Sequence, residues 1–147
     1  MPLRRMILLA LVLVSAAGVL SACGSESVDV SSNASASVQN GAKLFAARCS
    51  GCHTMDVAGA QGSATKVSDR ERVDGPNLNK RKVCYDNALY ALRNGGASGA
   101  IMPENIVVGQ DAKDVAAFID EYSGKSASNP ASPSGPAVTC PPPPAGS

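Results

Sequence analysis

The 147 residues predict a small all-α domain with three main helices. Two segments carry apolar residues at the i, i+3, i+4, i+7 spacing of a single helix face. These are Tyr85, Ala88, Leu89 and Leu92, and then Val115, Phe118, Ile119 and Tyr122. A third stretch, Val38 to Arg48, follows Ser37 as a candidate N-cap and places Gly41 and Phe45 on one face. Thr54 to Val73 mixes small and charged residues without a clear period, so it reads as a surface loop with room for a short turn of helix.

The chain opens on what reads as a targeting segment, residues 1–22. Arg4 and Arg5 form a charged start, Met6 to Val14 an apolar run, and Leu20-Ser21-Ala22 brings small residues up to Cys23. Leu-Ser-Ala-Cys resembles the lipobox of bacterial lipoproteins, in which cleavage leaves a lipidated cysteine at the N-terminus. The apolar run is short for a spanning helix and is broken by Ser15 and Gly18. The expectation is therefore an exported lipoprotein anchored through Cys23 at the outer face of a bacterial cytoplasmic membrane, or in the periplasm. Residues 24–37, rich in Ser, Ala and Val, read as a flexible tether with a span of roughly 20 Å.

The first predicted helix runs into Cys49-Ser50-Gly51-Cys52-His53. Two thiols three positions apart followed by a histidine form the pattern of covalent c-type haem attachment. The thiols add across the two vinyl groups as thioethers, and His53 is placed to ligate the iron. A zinc knuckle would need four protein ligands, and no second close Cys/His pair exists; His53 is the only histidine. A thioredoxin-type dithiol should follow a strand in a βαβ unit, whereas the residues before Cys49 have a helical pattern.

Gly75-Pro76-Asn77-Leu78 is a turn by composition, and the basic run Lys80, Arg81, Lys82 after it reads first as a solvated face. The second helix is expected over Val83 to Asn94, stopped by Gly95 and Gly96. Ala97 to Ala100 forms a mobile approach to Ile101-Met102-Pro103. The third helix is expected over Gln110 to Tyr122, with Asp111 in its first turn and Gly124 closing it. Residues 124–147 read as a flexible Pro/Ser/Ala-rich tail in which Pro141 to Pro144 favour polyproline II.

Five cysteines divide without remainder. Cys23 takes the lipid, Cys49 and Cys52 the haem, and Cys84 with Cys140 makes an even pair that reads as a disulfide in an oxidising compartment. The net charge is +1, and without Arg4 and Arg5 it becomes −1, which excludes nucleic acid as a partner. No Trp, two Phe and three Tyr make a thin core, a deficit that a buried haem face would fill.

In order and spacing, these parts resemble class I cytochrome c over residues 38–123. The parts are a helix, Cys-x-x-Cys-His, Gly-Pro-Asn-Leu, a helix, Met-Pro and a final helix. The resemblance implies three helices around one covalently bound haem, with His53 as proximal ligand. It implies that the Pro76 carbonyl accepts a hydrogen bond from the other ring nitrogen of His53, and that Met102 is the sixth ligand. A methionine beside Ile101 is otherwise core filler. Met55 is the alternative in the mature chain, but it lies two residues from His53 and cannot reach the opposite haem face. The resemblance also implies that Gly41 and Phe45 pack on Phe118 where the first and last helices cross. The long 54–74 segment, Cys84 with Cys140, and the proline tail lie outside the family pattern.

The function this implies is one-electron transfer rather than enzyme catalysis. A monomeric carrier would shuttle electrons between a respiratory donor, a quinol–cytochrome c reductase or dehydrogenase, and a terminal oxidase or reductase. Lys80, Arg81 and Lys82 would be candidates for steering an acidic redox partner. A gas-binding sensor module and a haem-bearing subunit of a larger redox enzyme are the rival readings. A single haem motif and a single histidine argue against the enzyme subunit.

Overall fold

The computed structural model describes residues 27–64, 66–96, 101–125 and 139–144. Residues 1–22, Cys23, the start of the tether, the approach Ala97 to Ala100 and most of the tail lie outside the described residues. Three helices dominate: α1 (Ala36–Arg48), α2 (Tyr85–Asn94) and α3 (Gly109–Tyr122). A small antiparallel hairpin, β1 (Thr54–Met55) and β2 (Ala60–Gln61), follows α1, with a 3-10 turn, Asp56–Ala58, at its tip. A second 3-10 turn spans Val67–Asp69. No helix among the described residues is long and apolar enough to cross a membrane.

α1 packs along α3 over the largest interface between elements, and α2 packs on the same helix. Phe45 and Phe118 are fully buried with ring centroids 5.6 Å apart, and the Phe118 ring is followed at 5.5 Å by that of Tyr122. Gly41 permits this approach. A Cβ there would run into the backbone oxygen of Asp114, lying 2.5 Å from its carbonyl carbon and 2.9 Å from the Cβ of Phe118. The glycine's cost in helix propensity is thus offset by packing.

Helix ends depart from expectation by one or two residues. Ser35, not Ser37, is the N-cap of α1, its hydroxyl accepting from the Val38 N–H at 3.2 Å. Ser37 is used elsewhere: its hydroxyl donates to Asp114 on α3 at 2.7 Å. α2 starts at Tyr85 rather than Val83 and ends on Gly95 in the left-handed region, as Asn94-Gly95 suggested. α3 starts at Gly109 without a side-chain cap.

Two segments read as irregular are ordered. The 54–61 hairpin was missed because strands of two residues carry no period. The free tether over residues 23–37 is corrected over 27–37. Val28, Val30 and Ala34 pack against the core, the Asp29 N–H donates to the Val57 carbonyl at 2.7 Å, and α1 begins at Ala36. Apolar residues spaced through a Ser-rich stretch are enough to lay it on the core even without periodicity.

Candidate haem-binding site

The last turn of α1 delivers the motif. The Cys49 N–H donates to Phe45 O at 2.8 Å as the C-cap, and the N–H groups of Cys52 and His53 donate back to Cys49 O at 3.1 and 3.0 Å. The chain thus turns tightly through 49–53 and leaves Cys49 buried and Cys52 exposed. Burial, and then the neighbouring Cys52, pushes the Cys49 thiol up to about 12. That is opposite to the lowered value of a reactive dithiol, and a thioether needs no charge at this position.

His53 is fixed from three sides. Its Nδ1 lies 3.1 Å from the Pro76 carbonyl, which can only accept, so Nδ1 carries the proton and Nε2 keeps its lone pair. The ring lies flat on Gly75, where a Cβ would sit 2.6 Å from Nδ1 and 2.7 Å from Nε2. Phe45 lies 6.2 Å from it, centroid to centroid. Burial lowers the His53 pKa, only partly opposed by the Pro76 carbonyl, and this keeps the imidazole neutral as a ligand must be.

Sequence reading missed the group that holds this floor together. Ser63, buried, accepts the Thr54 N–H at 3.0 Å and donates to the Gly75 carbonyl at 2.9 Å. The Ser63 N–H in turn donates to Thr54 Oγ1 at 3.0 Å. Gly75 N–H donates to Cys52 O, Gly62 N–H to His53 O, and Leu78 N–H to Thr54 O. Gly62 also has to be glycine, because a Cβ would meet the backbone of Ser50, Gly51 and Cys52. The paired Gly62-Ser63 and Gly75-Pro76 were the available signals, although each alone reads as a turn.

One cavity of about 850 Å³ collects Cys49, Cys52, His53, Pro76 and Met102. Its wall is apolar, with Phe45, Leu78, Val83, Leu92, Ile106 and Ile119. Met55 is fully buried and does not line it, whereas Met102 is half-buried, packs against the core and does. Arg48, Arg72, Arg81 and Lys82 also line the cavity, with Asp74 as the acidic residue among them. The size suits a cofactor, the apolar wall suits a porphyrin face, and the positive balance suits its carboxylates.

The basic run is therefore not simply a solvated face. Lys80 and Arg81 are exposed, but Lys82 binds the Asp120 backbone oxygen and pairs with its carboxylate at 3.3 Å. Beside it, the Val83 N–H donates to Ser123 Oγ at 2.9 Å and the Gly124 N–H to Leu78 O at 2.8 Å, lacing the cavity wall to the end of α3. Cys84 and Cys140 are joined as a disulfide, with Cα atoms 5.3 Å apart. The bridge fastens the exposed prolines 141–144 to the start of α2. Cys23 lies outside the described residues.

An all-α domain offering two thiols, a neutral imidazole and a thioether to one porphyrin-sized cavity defines a protein of covalently held haem. The cytochrome c family pattern matches residues 38–123, and the chain belongs to that family. It is a class I c-type cytochrome carrying covalently bound haem c with its iron, and it acts in electron transfer. Among solved structures, the c-type cytochrome SorU from Sinorhizobium meliloti is similar, at 27% identity over 61% of this chain and 94% of that chain, with a TM-score of 0.48. No curated protein matches.

Proposed function

We propose that this cytochrome is a membrane-tethered, extracytoplasmic one-electron carrier. Its donor would be a quinol–cytochrome c reductase or dehydrogenase, and its acceptor a terminal oxidase or reductase. The observation that carries the reading is the single cavity shared by Cys49, Cys52, His53 and Met102. When bound, haem c supplies a one-electron ferric/ferrous couple at its iron. Cys49 and Cys52 would hold the porphyrin edge, and His53 would offer Nε2 with its ring fixed by Pro76 and Gly75. Met102, from a different segment, would supply the second axial atom. With His53 and Met102 both holding the iron, no vacancy would be left for a substrate, which favours electron transfer over chemistry on a bound molecule.

The mouth of the cavity supports docking of a protein partner. Val73, Tyr90 and Ile101 line it and are each more than half exposed, at 52, 57 and 54%. Exposed Arg72 and Arg81 flank them. An apolar centre with a cationic rim suits a partner with an acidic patch. Lipid on Cys23 would confine the search for that partner to the membrane surface.

A redox titration of the purified protein with its visible spectrum recorded tests this reading. The expected result is a positive potential and, in the ferric state, the weak far-red band of sulfur–iron ligation. Absence of that band would remove Met102 from the iron.

A further inference from the structure

We propose that the lipid-anchored chain rests on the phospholipid surface through one defined side, built by residues 27–33, and holds its haem cavity uncovered. This rests on the reading of Cys23 as the lipidated residue. A long flexible leash would let the head present any face, but the leash is short. The arm is bound to the core from Val28 onward by the Asp29 N–H to Val57 O and by the packing of Val28, Val30 and Ala34. Gln39 on α1 continues the attachment, donating to the carbonyls of Ser32 and Ala34 at 3.2 and 2.9 Å.

Only residues 24–26 separate Cys23 from Ser27. Four residue steps, fully extended, reach about 14 Å. That is less than the ~18 Å length of α1 itself, at 1.5 Å rise per residue. The acyl chains therefore hold the arm close to the headgroups and prevent the head from turning over.

The chemistry of this side agrees with resting rather than insertion. Its exposed residues are Ser27, Asp29, Ser31, Ser32 and Asn33, all polar. Among the described residues, the exposed large apolar side chains, Val73, Tyr90, Ile101 and Val108, lie elsewhere. The side has no affinity of its own for hydrocarbon, and the leash alone holds it there. None of residues 27–37 or 54–61 lines the cavity, so the membrane-facing side and the electron-transfer mouth share no residue. A partner thus meets a head already oriented.

Fluorophore labelling of full-length holoprotein tests this. Cys49 and Cys52 are consumed by haem, Cys84 and Cys140 by their disulfide, and Cys23 by lipid, so one added thiol is labelled alone. Ser32→Cys reports from the arm, and Arg93→Cys from the exposed surface of α2. In phosphatidylcholine vesicles containing headgroup-nitroxide phosphatidylcholine, the label at 32 should be strongly quenched and the label at 93 little. Ten Gly/Ser residues inserted between Glu26 and Ser27 lengthen the reach to about 50 Å, and quenching at 32 should fall to the level at 93. Equal quenching at both positions in a chain of native length, with the acyl mass present on Cys23, overturns the fixed orientation. A mass spectrum without acyl groups overturns the anchor reading on which it rests.

Discussion

Replacing Gly41 by alanine should destabilise this protein, although the same change on an exposed helix surface stabilises by about 1 kcal/mol. The new Cβ would lie 2.5 Å from the Asp114 carbonyl carbon and 2.9 Å from Phe118 Cβ, where ordinary contact begins at 3.4 Å. Asp114 contributes backbone there, and backbone in the middle of α3 cannot swing aside. α1 and α3 must therefore separate by about 1 Å, the overpacking regime in which one methyl costs about 1–3 kcal/mol. The separation also loosens Phe45 against Phe118 and stretches the Asp114 hydrogen bonds, which places the net cost near the top of that range, about 2–3 kcal/mol. For a domain of this size, the Tm should fall by roughly 10 °C or more. Helical circular dichroism of the haem-loaded protein measures it, with Ala47→Gly on the exposed side of α1 as the control for propensity. An unchanged or raised Tm for Gly41→Ala would refute the close crossing of the two helices.

Met102→Ala should open the iron to carbon monoxide and imidazole and abolish the far-red band. An unchanged spectrum would assign the sixth ligand elsewhere. Cys84→Ser should lower stability by up to about 4 kcal/mol, because the bridge closes a loop with a separation of 56 residues; the urea midpoint measures this. An Ellman titration of the oxidised wild type should find neither thiol of the pair. Asp114 gives a pH signature. Burial pushes its carboxyl up, but hydrogen bonds from Asn40, Ser37 and Gln110 outweigh this and hold its pKa below the ordinary value. Its contribution is therefore complete above the unfolded value of ~3.9 and is lost as pH falls through the lower folded value. Asp114→Asn should flatten the stability difference between neutral and acid pH, as read by denaturant titration at each pH.

What could be read from the chain and what could not divide along physical lines. α2 and α3 were legible because each buries one stripe at helical spacing. The haem site was legible because Cys49, Cys52 and His53 are local in sequence and chemically specific. Gly41 was legible through the family pattern, as a glycine whose cost required a close partner. The hairpin 54–61 was not, since two-residue strands carry no repeat and the side-chain bonds between Thr54 and Ser63 that brace it have no sequence pattern. The packed arm 27–35 hid behind its serines. Asp114 was overlooked because a carboxylate next to Val115 looks like a surface residue. Its partners Ser37 and Asn40 lie on another helix, three residues apart on the face that meets it.

The lacing of residues 78–83 to the end of α3 bears on how the cavity comes to be filled. The cavity's two walls come from well-separated parts of the chain. Cys49, Cys52 and His53 lie about seventy residues before Asp120, Ser123 and Gly124, the anchors of the opposite wall. Cys140 follows later still and adds its covalent tie to the start of α2. Until the end of α3 docks, the attachment residues face a vessel open along the side that Lys82 and Val83 shut. A broad, flat molecule has its widest way in from the side for as long as the chain's own ending is undocked.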